Sequence, residues 1–89
     1  MARVVVTATA SADQSALLTD LFARAGRPTA ARYRSRFATC YDRLAAHPAI
    51  GPRRPALGPG IRLAIVTPYV VVYAFDESRD TVTILRLID

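Results

Sequence analysis

Few residues of this 89-residue chain have side chains that could carry out a reaction. The single histidine, His47, stands directly before a proline, and a histidine in that position more often caps a helix end than acts as a base. The single cysteine, Cys40, shares helical spacing with apolar residues and is predicted to lie in the core. The sequence contains no nucleophile–base pair and no Gly-rich phosphate loop followed by a helix. These features leave enzymatic activity open but favour a protein that binds.

Acidic residues come close together only in the segment Asp76–Asp80, which reads DESRD. Such clusters are common in the turns between strands. No further ligand with the spacing of a metal site joins them. We therefore predict no metal site and no cofactor.

Arginine shows the most distinctive pattern in the sequence. All twelve basic residues are arginine, and the net charge is +5. The guanidinium group binds carboxylates and phosphates but stays protonated, so it cannot serve as a general base. A basic surface on a small domain therefore suggests a nucleic acid or an acidic protein as a partner.

Seven arginines and two tyrosines are candidates for contacting such a partner: Arg32, Arg36, Arg43, Arg53, Arg54, Arg62, Arg86, Tyr69 and Tyr73. The first three fall in one stripe along a predicted helix, and the next two lie in a loop rich in proline and glycine. Both sets are more often only a solvated surface. The tyrosines share one strand face, where they could stack on bases but more commonly pack in the core.

Arg62 and Arg86 stand inside predicted strands. Strict alternation along the last strand places Arg86 on the same face as Val82 and Ile84. A charge on an apolar face is costly unless it is paired. Arg86 is therefore predicted either to pair internally with an aspartate or a carbonyl, or to face a groove that receives a partner.

Three runs of β-branched and apolar residues carry most of these candidates, and each run is bounded by turn residues. They are predicted to form antiparallel strands at Ile61–Val66, Tyr69–Phe75 and Thr81–Ile88. Near the start of the sequence, Arg3–Thr7 is predicted to be a short strand that pairs with this sheet.

Two helices are predicted between the first strand and the other three. The first begins at a capping box formed by Ser11 and Gln14 and ends at Gly26. The second runs from an N-cap at Thr29 to about Ala46, and the short link makes an antiparallel αα-hairpin. The predicted fold is therefore α+β in the order β-α-α-β-β-β, with the hairpin packed on one face of an antiparallel sheet.

Size and composition agree with one globular domain over residues 1–89. Hydrophobic residues make up 52% of the sequence, which is typical of a folded chain with a single core. No apolar run approaches the roughly 18 residues of a membrane span, and no signal peptide is recognisable. With one cysteine, nothing points to disulfides or secretion. We predict a cytoplasmic protein with no membrane partner.

Three stretches of the sequence resemble a known family. They are the loop HPxIGxxRPxLGPGIR at 47–62, the strand YVVVYxF at 69–75 and the strand TILRLI at 83–88. In this order they resemble the RelE/ParE superfamily of toxins from type II toxin–antitoxin systems. The resemblance covers nearly the whole chain and implies the RelE/ParE fold. The PxLGPGIR junction and the ILR strand are most similar to the ParE-like subgroup.

The resemblance implies a toxin that is neutralised by a cognate antitoxin encoded beside it. An acidic, amphipathic C-terminal segment of the antitoxin is expected to fold onto the toxin in a hetero-oligomeric complex. Arg62 and Arg86 match arginines of the family's second and last strands. Members usually continue past the last strand with a short basic tail. If such a tail has been removed after Asp89, toxicity is expected to be lost while antitoxin binding survives.

Two activities occur in the superfamily, and the residues favour one of them. RelE-type toxins cleave mRNA on the ribosome with basic residues and usually a C-terminal tyrosine or histidine, whereas ParE-type toxins inhibit DNA gyrase. This sequence has no lysine, and no tyrosine or histidine follows Tyr73. The expected function is therefore gyrase inhibition and growth arrest. The alternatives are a RelE-like ribosome-dependent mRNA endonuclease, for which Arg62 and Arg86 would be the catalytic residues, and an inactive homologue that only binds antitoxin.

Overall fold

A computed structural model describes all 89 residues. In chain order the elements are β1 (Arg3–Val6), α1 (Ala8–Ala25), α2 (Arg27–Ala46), β2 (Ile61–Val66), β3 (Tyr69–Asp76) and β4 (Thr81–Ile88). Short 3-10 turns lie at Pro55–Leu57 and Glu77–Arg79. The predicted α+β fold in the order β-α-α-β-β-β is confirmed. Neither helix is long and apolar enough to cross a membrane.

The four strands form one sheet in the order β1-β4-β3-β2. The pairs β2–β3 and β3–β4 are antiparallel, as predicted. β1 joins β4 in parallel, with Val4 opposite Val82, so the sheet is mixed and not wholly antiparallel. A parallel pair needs a long connection between its strands, and here the two helices, β2 and β3 supply it.

The helices begin earlier than predicted. α1 starts at Ala8, and the Oγ1 atom of Thr7 accepts a hydrogen bond from the backbone N of Ala10 at 3.0 Å. Thr7 therefore caps the helix directly after β1, and Ser11 lies in the second turn. Gly26, with a φ of +86°, ends α1 and also precedes the first residue of α2. Glycine adopts this backbone conformation without strain. A single residue is therefore enough to connect the two helices.

The core lies between the helical hairpin and one face of the sheet. Its largest fully buried side chains come from α2 and from β3 and β4: Phe37, Leu44, Val71, Tyr73, Val82 and Ile84. The helix-facing side of β3 consists of Tyr69, Val71, Tyr73 and the partly buried Phe75, as the period of two requires. Together these side chains fix the hairpin on the sheet.

A β-bulge at Leu85 reverses the alternation along β4. Arg86 lies opposite Val72, while Ile84 lies opposite the next residue of β3, so Leu85 has no partner. Ile84 is buried before the bulge and Leu87 is buried after it, and Arg86 is exposed. The prediction that Arg86 shares a face with Ile84 is wrong, because one extra residue turns the rest of the strand over.

Candidate functional site

One face of the sheet carries no helix. Alternate residues of β2, β3 and β4 form cross-strand rows on it, and we call the following set the open face: Ile61, Leu63, Ile65, Val70, Val72, Ala74, Thr83, Arg86 and Ile88. Arg86 is the only charged residue of this set, and Asp76, opposite Thr81, lies on the same face at the end of β3. Ile65 is 61% exposed and Ile88 is 46% exposed. A contiguous apolar surface of this kind is typical of an interface.

Asp13, on α1, holds Arg86 from the edge of the sheet. Its Oδ2 atom accepts hydrogen bonds from Nε of Arg86 at 2.7 Å and from the backbone N of Leu87 at 3.1 Å. β1 ends at Val6, so the end of β4 has no neighbouring strand on this side, and Asp13 takes a backbone donor left free there. Of the two alternatives for Arg86, the internal pair is present, with 54% of the arginine side chain still exposed.

The hydrogen bonds of Asp13 with Arg86 and Leu87, which we call the clasp, make the free energy of unfolding depend on pH. The hydrogen bond from Arg86, and next the one from the Leu87 N–H, lowers the pKa of Asp13. A carboxyl group with a lowered folded-state pKa contributes stability that is complete above its unfolded pKa of about 3.9 and is lost as the pH falls through the folded-state pKa. Asp13→Asn is therefore expected to lower the free energy of unfolding at pH 7, and this difference is expected to shrink as the pH falls below the unfolded-state pKa. Urea unfolding of both proteins from pH 7 to pH 2 measures this difference.

Asp20→Asn is the control on the same helix. It removes an exposed pair with Arg24, 2.8 Å away and one turn further along, and such pairs contribute little. Its unfolding profile should follow that of the unmodified protein. Parallel profiles for Asp13→Asn and the unmodified protein would show that the clasp contributes nothing in solution.

Arg62 stands on the helix-facing side and holds the loop that follows α2. Its Nη1 atom donates to the carbonyl oxygens of Ala49 at 3.1 Å and Gly51 at 2.8 Å. Its register partner Tyr73 donates through its hydroxyl to the carbonyl of Pro48 at 2.9 Å and accepts from the backbone N of Gly51 at 3.0 Å. These four bonds fix the course of residues 48–51.

Arg62 and Arg86 lie on opposite faces of the sheet. Arg62 is paired with Tyr73, which is fully buried beneath the helices, whereas Arg86 is paired with Val72 on the open face. Each guanidinium group also has acceptors within the protein. The two arginines therefore cannot bind a single phosphate together, although both were predicted to have the same candidate role.

Tyr69 and Tyr73 belong to the core. Their exposed fractions are 2% and 0%, and burial raises the pKa of both hydroxyls. The ring of Tyr69 packs edge-on against Tyr33, with 5.6 Å between centroids, and also contacts Phe37. Burial removes both tyrosines from the candidate contact residues, and the alternative of core packing holds.

The helical arginine stripe lines a groove beside the edge strand. Arg32, Arg36 and Arg43 surround a cleft of about 290 Å³ together with Ile65 and Val66 of β2. None of the three arginines has a carboxylate within 4.0 Å. The structure therefore brings this stripe together with one end of the open face. The sequence missed Ile65, because an isoleucine in a strand reads as a core residue.

The loop arginines are less closely organised. Arg53 lies opposite Arg62 in an isolated bridge, and Arg54 donates through Nη1 to the carbonyl of Arg53 at 2.9 Å. Both loop side chains are exposed. A cleft of about 460 Å³ beside them is lined by Arg53, Arg62 and Glu77. Neither Arg53 nor Arg62 has a carboxylate within 4.0 Å.

The residues considered for catalysis or metal binding have structural roles. The backbone N of His47 caps α2 by donating to the carbonyl of Arg43 at 2.8 Å. Cys40 is buried, and its burial raises the pKa of the thiol. Asp76 accepts hydrogen bonds from Ser78 and Arg79, which caps the acidic turn. No group of three or more His, Cys, Asp or Glu side chains is arranged to hold a metal ion.

Two solved structures share this fold along nearly the whole chain. The chromosomal ParDE toxin–antitoxin system from P. aeruginosa gives a TM-score of 0.80 at 21% identity, over 99% of this chain and 95% of that chain. The toxin–antitoxin complex RelBE2 from Mycobacterium tuberculosis gives a TM-score of 0.73 at 27% identity, over 98% of this chain and 95% of that chain. The architecture is that of the RelE/ParE superfamily of toxins.

Sequence comparison identifies the family within this superfamily. The family model described as the ParE toxin of the type II toxin–antitoxin system parDE matches residues 4–89. Toxin ParE3 of Caulobacter vibrioides is 33% identical over 89 residues, which is all of this chain and 87% of that relative. The chain belongs to the ParE toxin family of type II toxin–antitoxin systems.

Proposed function

We propose that this toxin acts in the cytoplasm by binding DNA gyrase and arresting growth, and that a cognate antitoxin neutralises it in a hetero-oligomeric complex. The observation that carries the proposal is the open face, a largely apolar sheet surface on which Arg86 is paired with Asp13. An inhibitor needs a contact surface and no general base. In this proposal the open face contacts the target, and the antitoxin prevents that contact.

The placement of the arginines supports inhibition over RNA cleavage. An mRNA endonuclease must stabilise a developing charge with groups that converge on one phosphate. Arg62 and Arg86 lie on opposite faces of the sheet, and protein acceptors engage both. The only histidine precedes a proline at the end of α2, and there is no lysine. The RelE-like alternative therefore lacks support from the geometry.

The antitoxin part of the proposal is supported by charge and by relatives. The chain carries a net charge of +5, and three arginines in one groove have no carboxylate partner. An acidic segment would supply those partners. The two solved structures compared above are toxin–antitoxin systems by name.

A supercoiling assay with purified gyrase tests the proposed target. We expect the toxin to inhibit supercoiling and to increase cleaved DNA. Ile88→Glu, which places a charge on the open face, is expected to weaken inhibition by about tenfold or more because an unpaired charge must then be desolvated at the contact. Ala12→Glu adds the same charge at an exposed position of α1 and should inhibit like the unmodified protein.

The outcome separates the alternatives. No inhibition by the folded protein would contradict the gyrase proposal. Primer extension on translated mRNA after induction should then be examined, because cuts in the ribosomal A site would assign the RelE-like activity. Normal growth after induction, with antitoxin binding intact, would identify a homologue that only binds.

A further inference from the structure

The cleft beside the loop arginines has an excess of positive charge. It has a volume of about 460 Å³ and lies where the loop after α2 meets the start of β2. Arg53 of the loop and Arg62 of β2 line it, and Ile61 and Phe75 contribute apolar surface. Glu77 is the only acidic residue of the lining. Two cations against one anion favour a negatively charged ligand.

The backbone places the two arginines side by side. Arg53 lies opposite Arg62 in an isolated antiparallel bridge. Two backbone hydrogen bonds, of 2.9 Å and 3.2 Å, join the residues that flank this pair. In this pattern the opposed residues are not bonded to each other, their Cα atoms are about 4.5 Å apart, and their side chains leave on the same side. Like charges opposed in this way repel each other, and an anion between them would offset the repulsion.

Both guanidinium groups keep hydrogen-bond donors for a ligand. Arg62 uses only its Nη1 atom, which donates to the carbonyls of Ala49 and Gly51. These bonds hold the group in place and leave its Nε and Nη2 atoms available. The side chain of Arg53 is exposed and has no carboxylate within 4.0 Å. Guanidinium donors match the oxygens of a phosphate group, so the pair suits one phosphate.

The opposite wall of the cleft is a stiff segment of backbone. Pro55 and Pro59 line it together with Gly58 and Gly60, and a proline ring fixes the φ angle of its residue. The carbonyl of Gly60 accepts a hydrogen bond from the backbone N of Phe75 at 3.2 Å, which ties the segment to β3. A site that is already formed loses little conformational entropy when a ligand binds.

We infer that this cleft binds one backbone phosphate of the DNA that gyrase holds, through Arg53 and Arg62. The inference rests on the proposed action on gyrase and adds a contact with its DNA. Ile61 belongs both to the open face and to the lining of the cleft, so a gyrase surface on the open face would lie beside the cleft. Phosphate contacts position a protein on DNA without reading its sequence.

The affinity of the toxin for purified gyrase, measured with and without a bound DNA duplex, tests the inference. We expect the duplex to raise the affinity by about tenfold at low salt, and this gain to shrink as the salt concentration rises. Arg53→Ala is expected to remove most of the gain. Arg62 is left unchanged in this experiment, because it also holds residues 48–51.

Two further substitutions separate a phosphate contact from a general effect of charge. Arg3→Ala removes the same charge at an exposed position of β1, on the opposite edge of the sheet, and should keep the gain. Glu77→Gln removes the negative charge from the cleft and is expected to increase the gain by about threefold. A purely structural cleft would not give effects of opposite sign at Arg53 and Glu77.

NMR titrations of the isotope-labelled toxin locate the contact. Inorganic phosphate and the duplex should each shift the Nε–H signals of Arg53 and Arg62 more than those of the other arginines. Shifts with inorganic phosphate but not with the duplex would overturn DNA as the source and assign a small phosphate-bearing ligand. Shifts with polyglutamate at lower concentrations than with the duplex would assign an acidic protein and also overturn the inference.

The gyrase measurement keeps the two proposals apart. Equal affinity for gyrase with and without the duplex overturns the inference while the proposed function stands. The same holds for a gain that Arg53→Ala and Arg3→Ala reduce equally, because the contact would then be diffuse. Absence of binding to gyrase in either form overturns both.

Discussion

Gly51→Ala is expected to lower the free energy of unfolding by about 3 kcal/mol or more. A Cβ atom at this position would lie 2.1 Å from the carbonyl oxygen of Leu63 and 2.7 Å from the hydroxyl of Tyr73. The first is backbone of a paired strand and cannot move aside. Relief therefore requires the loop to withdraw, which breaks the hydrogen bond that Gly51 donates to Tyr73 and the one that it accepts from Arg62. Equilibrium unfolding in urea measures the loss.

Ala49→Ser is the matched control for that substitution. It also adds one heavy atom to the same loop, but at an exposed side chain. Its effect should stay within about 0.5 kcal/mol. Equal stability of the Gly51→Ala variant and the unmodified protein would show that the loop does not pack against β2 in this way.

Tyr73→Phe is expected to cost about 2 kcal/mol, a large effect for the loss of one oxygen atom. The hydroxyl is the donor to Pro48 and the acceptor for Gly51. The ring is fully buried, so no water replaces the lost group and two backbone groups lose a partner. The size of the effect comes from those unpaired groups more than from the bonds themselves. Urea unfolding again gives the difference.

Tyr33→Phe separates this effect from the general loss of a tyrosine hydroxyl. Its hydroxyl donates to Thr67 at 3.3 Å in an exposed setting, so water can take its place and the cost should be below about 0.5 kcal/mol. A double-mutant cycle between Tyr73→Phe and Arg62→Ala should show less than additive loss, because both side chains hold the same loop. Additive losses would mean that the two side chains act independently.

Most of the fold could be predicted from the sequence because its signals are local. The β-branched runs and their turns gave β2, β3 and β4 with nearly correct bounds, and apolar spacing gave both helices. The start of α1 was wrong because two residues, Thr7 and Ser11, can both cap a helix. Which of the two caps the helix depends on where β1 ends. That end is set by a bond from the backbone N of Thr7 to the carbonyl of Ile84, in a strand far away in the sequence. No local pattern contains that information.

The candidate site was predicted only in part, for a similar reason. The stripe of Arg32, Arg36 and Arg43 follows from helical period alone. The side that Arg86 faces depends on a bulge at Leu85, and an apolar residue in a strand gives no sign of being the unpaired one. The role of Tyr73 depends on a loop that returns to β3 after α2, which the spacing of prolines and glycines does not determine.

The parallel pairing of β1 with β4 gives the toxin an order of assembly. Contacts such as Thr7 with Leu85 join residues 78 positions apart in the chain, and pairings of such long range carry a large loop-closure cost that slows folding. β1 is synthesised first, yet its neighbour β4 follows all the other strands. During translation β1 therefore has no strand to pair with until β4 has been synthesised. Until then Asp13 of α1 also lacks Leu87, whose backbone N–H it accepts in the folded protein.

A nascent chain that has not reached Thr81 has neither the partner of β1 nor Arg86. It also leaves β3 without one of its two neighbouring strands. Such a chain lacks the complete open face and exposes an unpaired edge, which favours association with other chains or degradation. The topology thus delays completion of the sheet until the ribosome has delivered β4.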